Sequence, residues 1–156
     1  MHFIVVQNFS QNNSSFSFPE PSGYLNDFED IFKQSQARLL ENLTYDFYDQ
    51  TGIQLAIVTI GAENVEREFF DQFSIDLFNY WGVGSKEKND GILIAISKNY
   101  SKIRIVNGLG IEKHISDEET KEIIDYYFLP YFSEGLLFEG MVSGLFNIMI
   151  RLREFD

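Results

Sequence analysis

The stretch Trp81-Gly82-Val83-Gly84-Ser85-Lys86-Glu87-Lys88-Asn89-Asp90-Gly91 leads directly into Ile92-Leu93-Ile94-Ala95-Ile96, and the rest of the chain is read from it. A helix ending in Trp-Gly-x-Gly closes in left-handed geometry, which glycine adopts without the steric cost of a side chain. Asn-Asp-Gly is turn chemistry, here placed just before an apolar run. Helix, tight loop and buried strand thus follow one another, and the loop holds the Asp90 carboxylate at the sheet edge where that strand begins.

Upstream, Phe69 or Phe70, Phe73, Leu77 and Tyr80 or Trp81 recur at helical spacing, which predicts a crossover helix over residues 65–81. Ile53 to Ile60 is an almost unbroken β-branched run, the pattern of a strand covered on both faces. Strand, helix and strand make the pair parallel. Before them, Ser35 reads as the N-cap of a helix carrying Leu39 or Leu40, Leu43 and Phe47 inward until Thr51-Gly52 stops it. Tyr24-Leu25 reads as a short edge strand. Gln7 to Phe18 mixes Asn, Gln and Ser with Phe in no regular period, so residues 1–22 are expected to be a mobile leader and residues 23–153 a single domain.

Downstream, Ser97 to Ser101 turns the chain into Lys102 to Val106, where Ile103 and Ile105 alternate with Lys102 and Arg104, a hairpin strand. Ser116-Asp117-Glu118-Glu119 is a capping box, and the helix it opens carries Ile123, Ile124, Tyr127 and Phe128 until Leu129-Pro130 ends it. Phe138, Met141, Leu145, Ile148 or Met149 and Leu152 form the stripe of a final helix. This order predicts an α/β sandwich on a small mixed sheet with flanking helices.

The 156 residues are enough for one core that removes about two thirds of the unfolded surface from water. With 24 acidic and 12 basic residues the formal charge is -12, which repels nucleic-acid phosphates and suits divalent cations or cationic partners. No cysteine is present, so thiolate catalysis, disulfides and cysteine-ligated metals are excluded. Phe3 to Val6 is too short for the apolar core of a signal peptide, and no stretch reaches the ~18 apolar residues of a membrane span.

Topology gathers the chemistry. The loop ending at Asp90 lies where both parallel strands start, and the hairpin strand returns to the same edge. Asp90, the Gly108-x-Gly110 bend, Glu112 and Asp117 are therefore predicted to share one rim. Their oxygens, with backbone carbonyls at the glycine turns, are hard ligands of the kind calcium takes, or magnesium in tighter geometry. The competing reading is that Asp90 fixes its turn, Asp117 favours a helix N-terminus and Glu112 is solvated. Dinucleotide, phosphate-loop and EF-hand spacings are all absent. His2 and His114 are too far apart in role and sequence to pair, so any general base or nucleophile here is a carboxylate, Asp90 or Asp117.

Several segments resemble the TPM domain family. Gly23-Tyr24-Leu25-Asn26-Asp27 resembles its opening, and Thr51-Gly52-Ile53-Gln54-Leu55 its strand entry. Trp81-Gly82-Val83-Gly84 with Asn89-Asp90-Gly91 resembles its central signature, and Arg104 through Gly108-x-Gly110-x-Glu112 and Ser116-Asp117 the segment after the hairpin. The resemblance implies a Rossmann-like α/β/α sandwich, calcium bound by Asp27, Asp90, Glu112 and Asp117, and an extracytoplasmic setting in the periplasm or cell envelope. It implies either a binding module that presents an acidic rim to an envelope protein or a metal-assisted acid phosphatase using Asp90 and Asp117. It leaves the oligomeric state open.

Overall fold

A computed structural model describes residues 16–153. Leu25–Asp27 forms β1, Gln34–Thr51 α1, Gln54–Thr59 β2, Phe70–Trp81 α2, Gly91–Ser97 β3 and Lys102–Asn107 β4. The helices Leu109–Glu112 (α3), Asp117–Ile123 (α4), Leu129–Phe132 (α5) and Leu137–Arg153 (α6) follow. The sheet order is β1-β2-β3-β4, with the first three strands parallel and β4 antiparallel to β3. This is the mixed α/β sheet that the element order predicts.

Every residue of β2 and β3 is buried, as their continuous apolar runs require. One sheet face, with Leu55, Ile57, Ile92 and Ile94, packs on Leu40 and Phe47 of α1 and on Met141, Leu145 and Ile148 of α6. The opposite face, with Ala56, Val58, Leu93 and Ala95, packs on Phe70, Phe73, Leu77 and Trp81 of α2. Because the strand order advances in one direction while α1 and α2 cover opposite faces, the β1-to-β2 and β2-to-β3 connections have opposite hands. One of them therefore departs from the right-handed rule that governs about 98% of such crossovers.

The local stops are mostly those expected. Gly52 closes α1 with φ 80°, its N–H donating to Tyr48 O at 2.7 Å. Gly82 closes α2 with φ 63°, and Ser116 caps α4 by accepting from Glu119 N. Three elements differ. α1 begins at Gln34, ahead of Ser35, because Gln36 Oε1 reaches back to Lys33 N at 2.9 Å and satisfies a first-turn donor. Leu109–Glu112 is a short helix where a loop was expected. Pro130 does not end its helix: Ile124–Phe128 forms a π turn, Leu129 N donating to Ile124 O, and the chain stays helical to Phe132. In a straight α-helix the proline ring would meet the carbonyl four residues back, at Tyr126; the wider turn moves that carbonyl aside.

Of the segment read as a leader, residues 1–15 lie outside the described residues. Of the remainder, Phe16, Phe18, Pro19 and Glu20 contact α2. Phe16 and Phe18 each sit 5.3 Å, centroid to centroid, from Phe73, and Phe18 stacks on Tyr80 at 5.0 Å. Trp81 Nε1 donates to Pro19 O at 2.8 Å. Among the described residues no helix is long and apolar enough to cross a membrane.

Candidate functional site

The Asp90 loop lies at the amino edge of the parallel strands. Gln54 and Gly91 begin β2 and β3 side by side, and Gln54 ties the edge together: its N–H donates to Asp90 O at 3.2 Å and its Oε1 accepts from Gly84 N at 2.8 Å. Asp90 Oδ1 accepts from Ser85 N at 2.8 Å, and Ser85 Oγ accepts from Lys88 N at 3.1 Å. The turn reading of Asp90 is thereby correct for one carboxylate oxygen; the other has no protein donor among the described residues.

The glycines of the signature share a steric cause. A Cβ on Gly84 would stand 2.4 Å from Gly91 N, on Gly91 2.2 Å from Val83 O, on Gly108 2.3 Å from Asn89 O and on Gly110 2.0 Å from Lys88 O. Two backbone segments lie in contact here. Gly108 N donates to Gly91 O at 2.8 Å and Gly110 N to Asn89 O at 2.9 Å, joining the Asp90 loop to α3. Glu112, at the end of α3, and Asp117, at the start of α4, are both exposed.

Asp27 is elsewhere. It ends β1 opposite Thr59, the last residue of β2, whereas Asp90 stands at the opposite end of the same strands, about 20 Å away along them at ~3.3 Å per residue. The ligand set Asp27, Asp90, Glu112 and Asp117 is therefore not one site. The Asp27 carboxylate accepts from Ile31 N at 3.1 Å, Phe32 N at 2.9 Å and Thr59 Oγ1 at 2.9 Å, which fixes the turn into α1. Among the described residues no group of three or more His, Cys, Asp or Glu stands close enough to hold a metal ion.

The carboxyl edge holds a second polar cluster that the sequence reading missed. Glu29 accepts from Lys98 N at 2.9 Å and Asn99 N at 3.0 Å, and its own N–H donates to Thr59 Oγ1 at 2.8 Å. Connections from β1 and β2 leave for opposite faces at this point, the position where open α/β sheets form a crevice. Here the Glu29 side chain fills it. The signal was available in the sequence: Asp27 closes a strand and Asp90 precedes one, so parallel pairing sends them to different edges.

A match to the TPM domain covers residues 25–149. The chain belongs to the TPM domain family. Two solved structures share this TPM fold. The N-terminal domain of a protein from P. gingivalis, solved by NMR, is 22% identical with a TM-score of 0.73, over 83% of this chain and 81% of that one. The BA42 protein from the psychrophilic bacterium Bizionia argentinensis is 17% identical with a TM-score of 0.68, over 82% and 86%. At these identities the likeness is one of fold. Among curated proteins no match is found.

Proposed function

We propose that this TPM domain is a binding module of the cell envelope whose amino-edge rim takes a divalent cation, calcium ahead of magnesium, and meets a protein partner there. The observation that supports this reading is the pair of bonds from Gly108 and Gly110, which makes the Asp90 loop and the Glu112 helix one braced surface. Asp90 supplies an unengaged carboxylate oxygen. With no three-acid group among the described residues, backbone carbonyls and water would complete the shell, as calcium's irregular coordination allows, and affinity falls at the weak end, on the order of 10⁻⁴–10⁻³ M.

Calcium titration of chelator-stripped protein, followed by amide NMR with magnesium as control, tests it. Saturable shifts at Ser85 to Gly91 and Gly110 to Asp117, abolished by Asp90→Asn, are expected. Shifts absent at millimolar calcium, or unchanged in Asp90→Asn, refute the assignment. The binding reading requires no nucleophile; a phosphatase at this rim would additionally turn over a phosphomonoester and lose that turnover in Asp90→Asn and Asp117→Asn.

A further inference from the structure

We infer that the free edge of β4 is a docking strand for an extended segment of another protein in which acidic and apolar residues alternate. The inference is independent of the rim acids. Gly108 N donates to Gly91 O, so in the β3–β4 register the even-numbered residues of β4 bond to β3. Ile60 N donates to Ile96 O, so the even-numbered residues of β3 bond to β2 and its odd-numbered ones to β4, in agreement. The N–H and C=O groups of Ile103, Ile105 and Asn107 consequently point away from the sheet, and among the described residues no hydrogen bond engages them.

The two edges of the sheet are treated differently. β1 is three residues long, and the Glu41 carboxylate covers its start, accepting from Tyr24 N and Leu25 N at 3.1 Å each. β4 is six residues long, and among the described residues no side chain accepts from its outward N–H groups. An uncovered edge of this length is a template for strand addition.

Its side chains specify the occupant. Lys102 and Arg104 are half-buried on the face shared with α2, where Lys102 Nζ lies 6.0 Å from the Phe70 ring, and neither forms an ion pair among the described residues. Two cations on one strand stand out in a chain of formal charge -12. A strand added beside them places alternate side chains next to Lys102 and Arg104, where carboxylates are favoured, and the intervening ones next to Ile103 and Ile105, where apolar groups are favoured. A second copy of this chain fits poorly: pairing β4 with itself about Ile103 sets Lys102 of each copy opposite Arg104 of the other, pairing about Ile105 sets the two Arg104 side chains diagonal to one another, and the strand carries no acid to offset either.

The test is a titration of the full chain with a blocked Glu-Val-Glu-Val-Glu-Val peptide, with Lys-Val-Lys-Val-Lys-Val as control, read by amide shifts and hydrogen exchange. The acidic peptide is expected to shift the Ile103, Ile105 and Asn107 amides saturably and slow their exchange at least tenfold, sparing the already bonded Arg104 and Val106. Reversal of both charges, Lys102→Glu with Arg104→Glu, is expected to weaken that peptide roughly tenfold and admit the basic one. Ile103→Pro, which removes a donor the fold does not use, is expected to leave the amide spectrum folded and abolish binding. The inference is overturned by absence of shifts at millimolar peptide, by shifts confined to other elements, or by equal affinity in the charge-reversed protein. Concentration-dependent protection of the same amides without peptide would identify a second copy as the occupant and overturn it equally.

Discussion

Gly84 and Gly52 both have left-handed backbones, φ 93° and 80°, but only Gly84 is crowded. Alanine at Gly52 meets nothing within 4 Å, so its cost is the conformational one, roughly 1–2 kcal/mol for an L-residue. Alanine at Gly84 carries the same cost and places its Cβ 2.4 Å from Gly91 N and 2.7 Å from Gly91 Cα. Relief requires the backbone itself to move, and overpacking of that kind adds about 1–3 kcal/mol. The loss of chain freedom in the unfolded state is common to both variants and cancels in their difference. With a urea slope of about 2 kcal/mol per molar, Gly84→Ala should lower the unfolding midpoint by about 1–2.5 M and Gly52→Ala by about 0.5–1 M. Amide spectra of Gly84→Ala should also show Ser85, Asn89 and Gly91 displaced. Equal midpoints for the two variants would refute the claim that close backbone contact, beyond left-handed geometry, explains the signature.

Two further outcomes concern titration. The Ser116 backbone N–H, then its hydroxyl, and then Arg151 hold the Glu119 carboxyl below its ordinary 4.5, so its stabilisation is complete above that value and lost as pH falls through the depressed one. Glu119→Gln should lower the urea midpoint at neutral pH and converge with the parent protein in acid. Burial, followed by the charges of Tyr48, Glu41 and Tyr45, pushes the Tyr24 phenol from 10.0 up to about 12. Its contribution is complete below pH 10 and lost as pH rises toward 12, so in an absorbance titration Tyr24→Phe should remove one late tyrosine and leave Tyr80, whose phenol is raised by its bond to Glu20.

The strands and most helix stops were legible because they depend on near neighbours. The Ile53 to Ile60 run, Thr51-Gly52 and the Ser116 capping box each contain their own explanation. Pro130 was misread because its usual effect, ending a helix, can be met instead by one widened turn, and α6 packs across the result. The faces taken by α1 and α2 were not legible, since handedness depends on which surface each apolar stripe finds after the sheet exists. For the candidate site, the place of the Asp90 loop follows from strand direction, and the same direction puts Asp27, at the end of β1, at the opposite edge.

The contacts of Phe16, Phe18 and Pro19 have a practical consequence. Among the described residues the α2 face of the sheet has one long helix above it, and these residues lie along that helix as a strap. A fragment cut at Gly23, or at the matched boundary Leu25, would uncover Phe73 and leave the Trp81 indole N–H without its carbonyl. The cooperative folding unit therefore starts upstream of the matched motifs, and an expression boundary drawn by them would be measured as a weaker protein with a newly sticky side.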